Sequence, residues 1–598
     1  MIDTLSPRRK KMRCDGARPF CGPCSLTRNP GHCEYTDKQG RTFTEVLEER
    51  LHLLKVRIKE LEERKDDAPV LLHHPYLRRE YRSGHEEEYQ RLNSPARLSG
   101  VSEHGSNVYQ LPLSSLETDV NQQFDLSGLV QTFLSQARRL HFVLHASRLL
   151  HDLNRHVHDP LRPHESLTSS IALWALRIMG PNAEYDAHES HLLNVSRDSL
   201  SAGHSSAVGR HRTQAIQAEI LLALYLFNDA RVMEGRYHLV AAGTGVLACG
   251  LHRISDHLQN PTSPISLSGL GVGEILVLDP PQDAIELGER INLFWSVYAL
   301  DRCWSVALGS APVIPDHPIS GTAVHSPMPL HLDICNNLSV DEIMSSGELS
   351  VRAFFDGSAD FSIFEHPSSS VVAFVVAAAL FERATRAAAD QLAHGMWHIK
   401  LDYQVIERLG QSIVKFNREL GERCSESSPA MPQRSSADDG TKHDEHMRVF
   451  ARSLGYGALI QLYYPFMGNV DAGEHCRSAV REIVRLIRSD LDLSLGHFGV
   501  IDFFLGIVWS SSARVVANEL AILSSTLSTP GSISPSLISG IPSSSSVATE
   551  SQQQLVSMLR AQEIAEDLEA LLAAVRGLGE TCPLIASQLD MLEGSNDE

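Results

Sequence analysis

Four cysteines within twenty residues constrain this chain more tightly than anything else in it. Cys14, Cys21, Cys24 and Cys33 are spaced x6, x2 and x8, whereas the other six of its ten cysteines are scattered singly from Cys249 to Cys582. Thiolates at such short spacings let the loops between them close around a tetrahedral Zn²⁺ ion. So short a segment has little core of its own, so ligation would supply its folding free energy. A basic run, Arg8-Arg9-Lys10-Lys11-Met12-Arg13, leads directly into the first cysteine. Positive charge held beside a metal-folded loop is what a nucleic-acid phosphate backbone attracts. The alternative, free thiols in a polar tail, leaves the bunching without a reason.

A net charge of −20 over 598 residues argues at first against such a partner. The distribution of that charge points the other way. Residues 7–41 hold nine Lys/Arg against three Asp/Glu. Residues 1–64 hold fourteen against ten, a local +4, which leaves −24 on the remainder. A basic head on an acidic body fits nucleic-acid binding by one small module, with the body kept from nonspecific adhesion. The first residues contain no apolar stretch of the secretory kind, and unpaired cysteines fit a reducing compartment. The longest apolar run, residues 371–381, is too short to span a bilayer, so no membrane partner is expected.

The cysteine segment resembles the fungal binuclear zinc-cluster transcription factors, whose motif runs C-x2-C-x6-C-x(5–12)-C-x2-C-x(6–9)-C. Cys14, Cys21, Cys24 and Cys33 match its third to sixth cysteines, RRKKMRC resembles its basic stretch, and Pro19 matches the loop proline. The resemblance implies metal ligation by those four cysteines, base-edge contacts from Lys10 and Lys11, and phosphate contacts from Arg8, Arg9 and Arg13. It further implies dimeric binding to CGG-like half-sites and regulation of RNA polymerase II genes in the nucleus. Thr4 and Pro7 stand where the first two cysteines of the motif belong, and neither can ligate zinc. The intact basic run favours a C-x2-C segment upstream of Arg8. The alternative is a degenerate member in which the four remaining thiolates close a single site, since His32, adjacent to Cys33, would need a strained geometry to substitute.

After residue 41 the pattern becomes helical. Leu47, Leu51, Leu54, Ile58 and Leu61 recur at 4-3-4-3 spacing with charges between them, which predicts a short parallel coiled-coil dimer over residues 42–64. A twofold dimer would place two reading modules on two half-sites. Residues 65–127 lack periodicity and read as a disordered linker.

From residue 128 to 525 the chain reads as one large all-α domain, so the predicted fold class is mainly α. Residues 128–158 carry a helical pattern that includes His141 and His145, a spacing able to chelate metal from one helix face but without the glutamate of an H-E-x-x-H motif. Ile216, Ile220, Leu224 and Phe227 mark one buried face, Gly250 is a helix stop, and residues 254–280 read as a loop. Gly269, Gly271 and Gly273 within that loop lack the preceding strand and following Lys-Ser/Thr pair of a phosphate loop. Residues 284–309 predict a long helix that is apolar nearly all round, and its only charges from Ile291 to Leu308 are Asp301 and Arg302. Such a pair in an apolar helix predicts a structural hydrogen-bond network rather than catalysis. This stretch also resembles the middle homology region of the same fungal regulators, through Arg290, Phe294, Trp295, Tyr298, Asp301 and Arg302 and the proline loop that follows. That resemblance spans roughly residues 135–420.

Residues 425–446 and 526–549 are rich in Ser, Pro and Asp and read as a disordered loop and a low-complexity linker. Residues 550–598 predict an amphipathic helical segment. The reading is therefore a DNA-binding transcription regulator and not an enzyme, with Zn²⁺ as cofactor, double-stranded DNA and a second copy as partners, and a small-molecule effector or co-regulator acting on the body. A second reading keeps the helical domain but has it act through partners or an effector without binding DNA alone.

Overall fold

A computed structural model describes most of residues 126–594, leaving out 260–277, 316–322, 346–350, 359–368, 397–402, 427–438, 490–499, 529–543 and a few single positions. Of the residues before 126 it describes only His52 and Lys55, both helical and exposed. The chain divides into two compact units, Met1–Val108 and Tyr109–Glu598. The zinc, basic and coiled-coil residues all belong to the first and lie outside the described residues.

In the second unit every regular element among the described residues is helical, as the sequence pattern predicts. The chain enters through α1 (Leu126–Leu134), a 3₁₀ turn at Ala137–Leu140, and α2 (Ala146–Leu153). The helical pattern of residues 128–158 is therefore interrupted at His141. His141 takes a left-handed conformation with φ 53° and closes the 3₁₀ turn, and Leu140 and Phe142 are buried on either side of it. His145 then caps α2 by accepting a hydrogen bond from Arg148 N through its ring Nδ1.

Three longer helices follow, α3 (Glu165–Met179), α4 (Ala183–His204) and α5 (Gly209–Asn228), then α6 (Val232–Ala248). Helices α3 and α4 pack together, as do α5 and α6. Ile216, Ile220, Leu224 and Phe227 are buried as expected, but α5 is buried on every face from Arg212 to Phe227. The polar residues that disguised this as an amphipathic helix are satisfied inside the core. Gln214 accepts from His164 N at 2.8 Å, and Gln217 accepts from Val143 N at 3.0 Å and donates to the His141 carbonyl at 3.2 Å. Gly250, at φ 71°, ends the α6 segment. A short helix α7 (Ile254–Gln259) occupies the start of the stretch expected to be a loop.

Helix α8 (Ala284–Ala307) runs through the middle of the unit. After the short α9 (Leu332–Cys335), α10 (Val340–Ser345) and α11 (Val351–Phe355) come α12 (Ser369–Met396), α13 (Tyr403–Glu426), α14 (Asp439–Tyr463), α15 (Val470–Ser489), α16 (Val500–Ser528), α17 (Ser544–Gly579) and α18 (Pro583–Gly594). Helix α14 begins inside the 425–446 stretch, because the apolar face that buries Met447 and Phe450 carries the helix back to Asp439. In the same way α16 runs to Ser528 and α17 starts at Ser544, so helix replaces both ends of the 526–549 linker.

The core does not stop at the proline loop after α8. Helix α12 packs on both α8 and α14, and α16 packs on α14, α17 and α18. One aromatic stack ties the early helices to the late ones. Trp304 of α8 lies between Phe227 of α5 and Phe503 of α16, with interplanar angles of 13° and 12°. Phe504 meets the same indole edge-on.

Candidate functional site

The polar side chains of α8 hold the connecting segments around it. Asp283 caps the helix by accepting from Glu286 N at 2.8 Å, and it also receives a guanidinium N–H from Arg148. At the other end Gly309 takes φ 59°, and Ser310 N donates to the Ser305 carbonyl at 2.9 Å, closing a Schellman-type stop. Between these ends Arg290 donates to the Asp279 carbonyl and to Glu286, both at 2.6 Å. The Asn292 amide grips Leu330 from both sides, donating to its carbonyl at 2.7 Å and accepting from its N–H at 3.0 Å. Trp295 Nε1 donates to the Pro327 carbonyl at 2.5 Å.

Asp301 and Arg302 do not act as a pair with each other. The Asp301 carboxylate, fully buried, accepts from Val313 N and Ile314 N, each at 3.0 Å, with Arg236 Nη1 at 3.4 Å. Arg302 donates to the Ile314 carbonyl at 2.7 Å and lies over the Tyr298 ring, 4.4 Å from its centroid. The two charges thus clamp opposite sides of one loop strand. That is the hydrogen-bond network the apolar setting predicts, with the backbone of residues 313–314 as its main partner.

Beside this helix lies a cavity of about 290 Å³. Its apolar wall includes Phe142, Trp295, Phe374, Val375 and Met447, drawn from the 3₁₀ segment, α8, α12 and α14. Its polar lining includes Arg138, His331 and the carboxylate of Asp333 towards the surface and the buried Ser296. The Ser296 hydroxyl is buried without a protein partner. Behind the wall, Glu289 accepts from His145 N at 2.8 Å. Burial holds that carboxyl above the usual range, with Arg148 and Arg210 only partly offsetting it.

Two histidine clusters lie under α5. Burial alone would raise the Glu219 carboxyl, but hydrogen bonds from His204 and His238 outweigh it and hold it low. Nearby, His164 caps α3 by accepting from Ser166 N, and burial together with His211 and His204 pushes its ring down to about 4. A histidine depressed in the folded state binds its proton mainly after unfolding. Stability is therefore complete above pH ~6.5 and declines as pH falls from there towards 4. His164 should contribute roughly 1–2 kcal/mol of this loss, allowing for solvent screening at a half-buried ring. Thermal melts at pH 7.5 and pH 5 of the wild type and of His164→Asn, which keeps a capping acceptor, measure it. The acid drop should shrink in the variant, and an equal drop in both would show that His164 is not its source.

The residues singled out in the sequence fare unequally. Cys14, Cys21, Cys24, Cys33, Arg8, Arg9, Lys10, Lys11, Arg13, Leu47, Leu51, Leu54, Ile58 and Leu61 lie outside the described residues, as do Gly269, Gly271 and Gly273. His141 and His145 do not share a helix face, because one closes a 3₁₀ turn and the other caps the next helix. Among the described residues no group of three or more His, Cys, Asp or Glu side chains converges on a metal position. Arg290, Phe294, Trp295, Tyr298, Asp301 and Arg302 all sit on α8, and four of them make the bonds just described. Asn292, Ser296 and Gln217 do not stand out in the sequence pattern. The one signal they carry is that of a small polar residue placed inside an otherwise apolar helix.

A helix whose charges clamp a proline loop, within an all-α body, is the setting for the comparison that decides the family of this region. Residues 120–362 match the fungal specific transcription factor domain. The matched span takes in α1 to α11, the cavity mouth and the α8 clamp, and this domain points to a role in fungal transcription regulation. No curated protein and no solved structure matches the chain. The fold continues past the matched span, since Phe374, Met447 and Phe503 complete walls and stacks that begin inside the fungal specific transcription factor domain. Among the described residues no helix is long and apolar enough to cross a membrane.

Proposed function

We propose that this protein is a nuclear, sequence-specific DNA-binding regulator of RNA polymerase II genes, which reads CGG-like half-sites as a dimer. The observation that carries this reading is the joint presence, in one chain, of the cysteine and basic segment at residues 8–33 and the matched domain at residues 120–362. The donor set fits the metal: four thiolates at x6, x2 and x8 suit a tetrahedral Zn²⁺ site, with Cys14, Cys21, Cys24 and Cys33 as ligands. Zinc would supply the folding free energy of a segment without a core. Lys10 and Lys11 would donate to guanine acceptors in the major groove, and Arg8, Arg9 and Arg13 would hold phosphates. Leu47, Leu51, Leu54, Ile58 and Leu61 would form the dimer seam.

A second reading is favoured by one specific observation, the presence of Thr4 and Pro7 at the first two cysteine positions of the six-cysteine pattern. In it the helical body regulates through a partner or a small effector, and the chain does not bind DNA alone. Binding assays on sets of variant half-sites separate specific reading from backbone contact. Lys10→Ala or Lys11→Ala should relax base choice, with about 1–3 kcal/mol lost on the preferred site and little on others. An equal loss on every sequence would assign both lysines to phosphate.

A further inference from the structure

The cavity beside α8 has the size, the shape and one unmet charge of a binding site. Its volume of about 290 Å³ is roughly twice that of an engineered cavity of ~150 Å³ that takes up benzene, so a two-ring body fits. The wall includes three aromatic rings, Phe142, Trp295 and Phe374, which suit a flat apolar body. The mouth sets the sign of the polar end. Arg138 Nη2 lies 2.8 Å from His331 Nε2, and arginine can only donate, so that ring nitrogen is the acceptor. The His331 proton then sits on Nδ1, which faces Asp333 Oδ2 at 3.3 Å. The acidic group at the rim is therefore met by His331, while Arg138 has no carboxylate partner among the described residues. Within the cavity Ser296 offers a hydroxyl that no protein group satisfies.

We infer that this cavity binds a small, flat, hydrophobic monocarboxylic acid, with its rings between Trp295 and Phe374 and its carboxylate on Arg138. Such a ligand would touch α8, α12 and α14 at once, and so would brace the matched domain against the helices that follow it. The binding step stands without the DNA-reading proposal, and only its use as a regulatory signal rests on that proposal.

Isothermal titration of the full-length chain with 1-naphthylacetate and its neutral isostere 1-naphthylacetamide tests the site with no DNA present, so a failure here is separable from a failure to bind DNA. The acid should bind with Kd on the order of 10–100 µM and about tenfold more tightly than the amide. Arg138→Gln, at an exposed position, should erase the difference between the two probes. Val371→Phe, which fills the cavity from the first turn of α12, should abolish both isotherms while the helical circular dichroism persists. No heat with either probe on folded wild-type protein would overturn the inference. So would equal affinities for acid and amide, or binding that survives Val371→Phe.

Discussion

Replacing Asp301 with alanine should destabilise the helical body by about 3–5 kcal/mol, a large share of the 5–15 kcal/mol typical of a folded domain. The carboxylate is fully buried and carries two backbone N–H bonds, from Val313 and Ile314, as well as the Arg236 contact. Removing it leaves one buried and one part-buried backbone donor without an acceptor, and takes the carboxylate away from Arg236. Asp301→Asn should cost less but remain harmful, because an amide presents an N–H to at least one of those donors. Removing Arg302 frees one backbone acceptor, the Ile314 carbonyl, and ends its interactions with Tyr298 and the buried Glu382, whereas Asp301 holds two backbone donors, so Arg302→Met should be milder than Asp301→Ala. Thermal melts combined with limited proteolysis of the 309–315 loop read both effects. A wild-type midpoint and an uncut loop in Asp301→Ala would show that the clamp is not what holds this loop.

Trp304→Ala should cost a similar 3–5 kcal/mol, for a different reason. The indole is sandwiched between Phe227 and Phe503 and touched edge-on by Phe504, so its removal opens a cavity shared by α5, α8 and α16. Its Nε1–H is buried and makes no hydrogen bond. The contribution is therefore packing and not polarity, and Trp304→Phe should retain most of it. Denaturation of the two variants separates these terms. Because Phe503 and Phe504 lie well beyond residue 362, Trp304→Ala should loosen α16 as well as the matched domain. Hydrogen exchange that rises in α5 and α8 but not in α16 would mean that the two parts fold independently.

Particular residues explain how much of this was legible in the sequence. Helix α8 could be read almost residue by residue, because an unbroken apolar run with a Gly-Pro stop leaves few alternatives. The roles of Asp301 and Arg302 could be foreseen only as a class, since the loop carbonyl and amides they hold lie 12 and 13 residues away and no local pattern encodes that meeting. Helix α5 misled for the opposite reason. Gln214, Gln217 and Glu219 look like a solvent face, yet each is met by a group from another element, and pairing of that kind does not show in periodicity. The left-handed turn at His141 was hidden by apolar residues that keep helical spacing across it. The cavity was not legible at all, because its wall draws on residues from Leu134 to Met447. The cysteine segment stands apart: its chemistry is dense in the sequence, and its reading rests there.

Zinc-dependent, sequence-selective DNA binding by the full-length chain tests the central claim most directly. Fluorescence anisotropy would be recorded on a duplex carrying two CGG triplets and on a scrambled duplex, at one fixed salt concentration, before and after chelation, with bound zinc counted on the same sample. The account predicts metal bound to the thiolates of Cys14, Cys21, Cys24 and Cys33. It also predicts a preference for the CGG duplex of roughly a thousandfold or more that disappears with the metal. Equal binding to both duplexes, or binding indifferent to chelation, would contradict it, and a zinc-free chain with no affinity for either duplex would shift the function to the helical body alone.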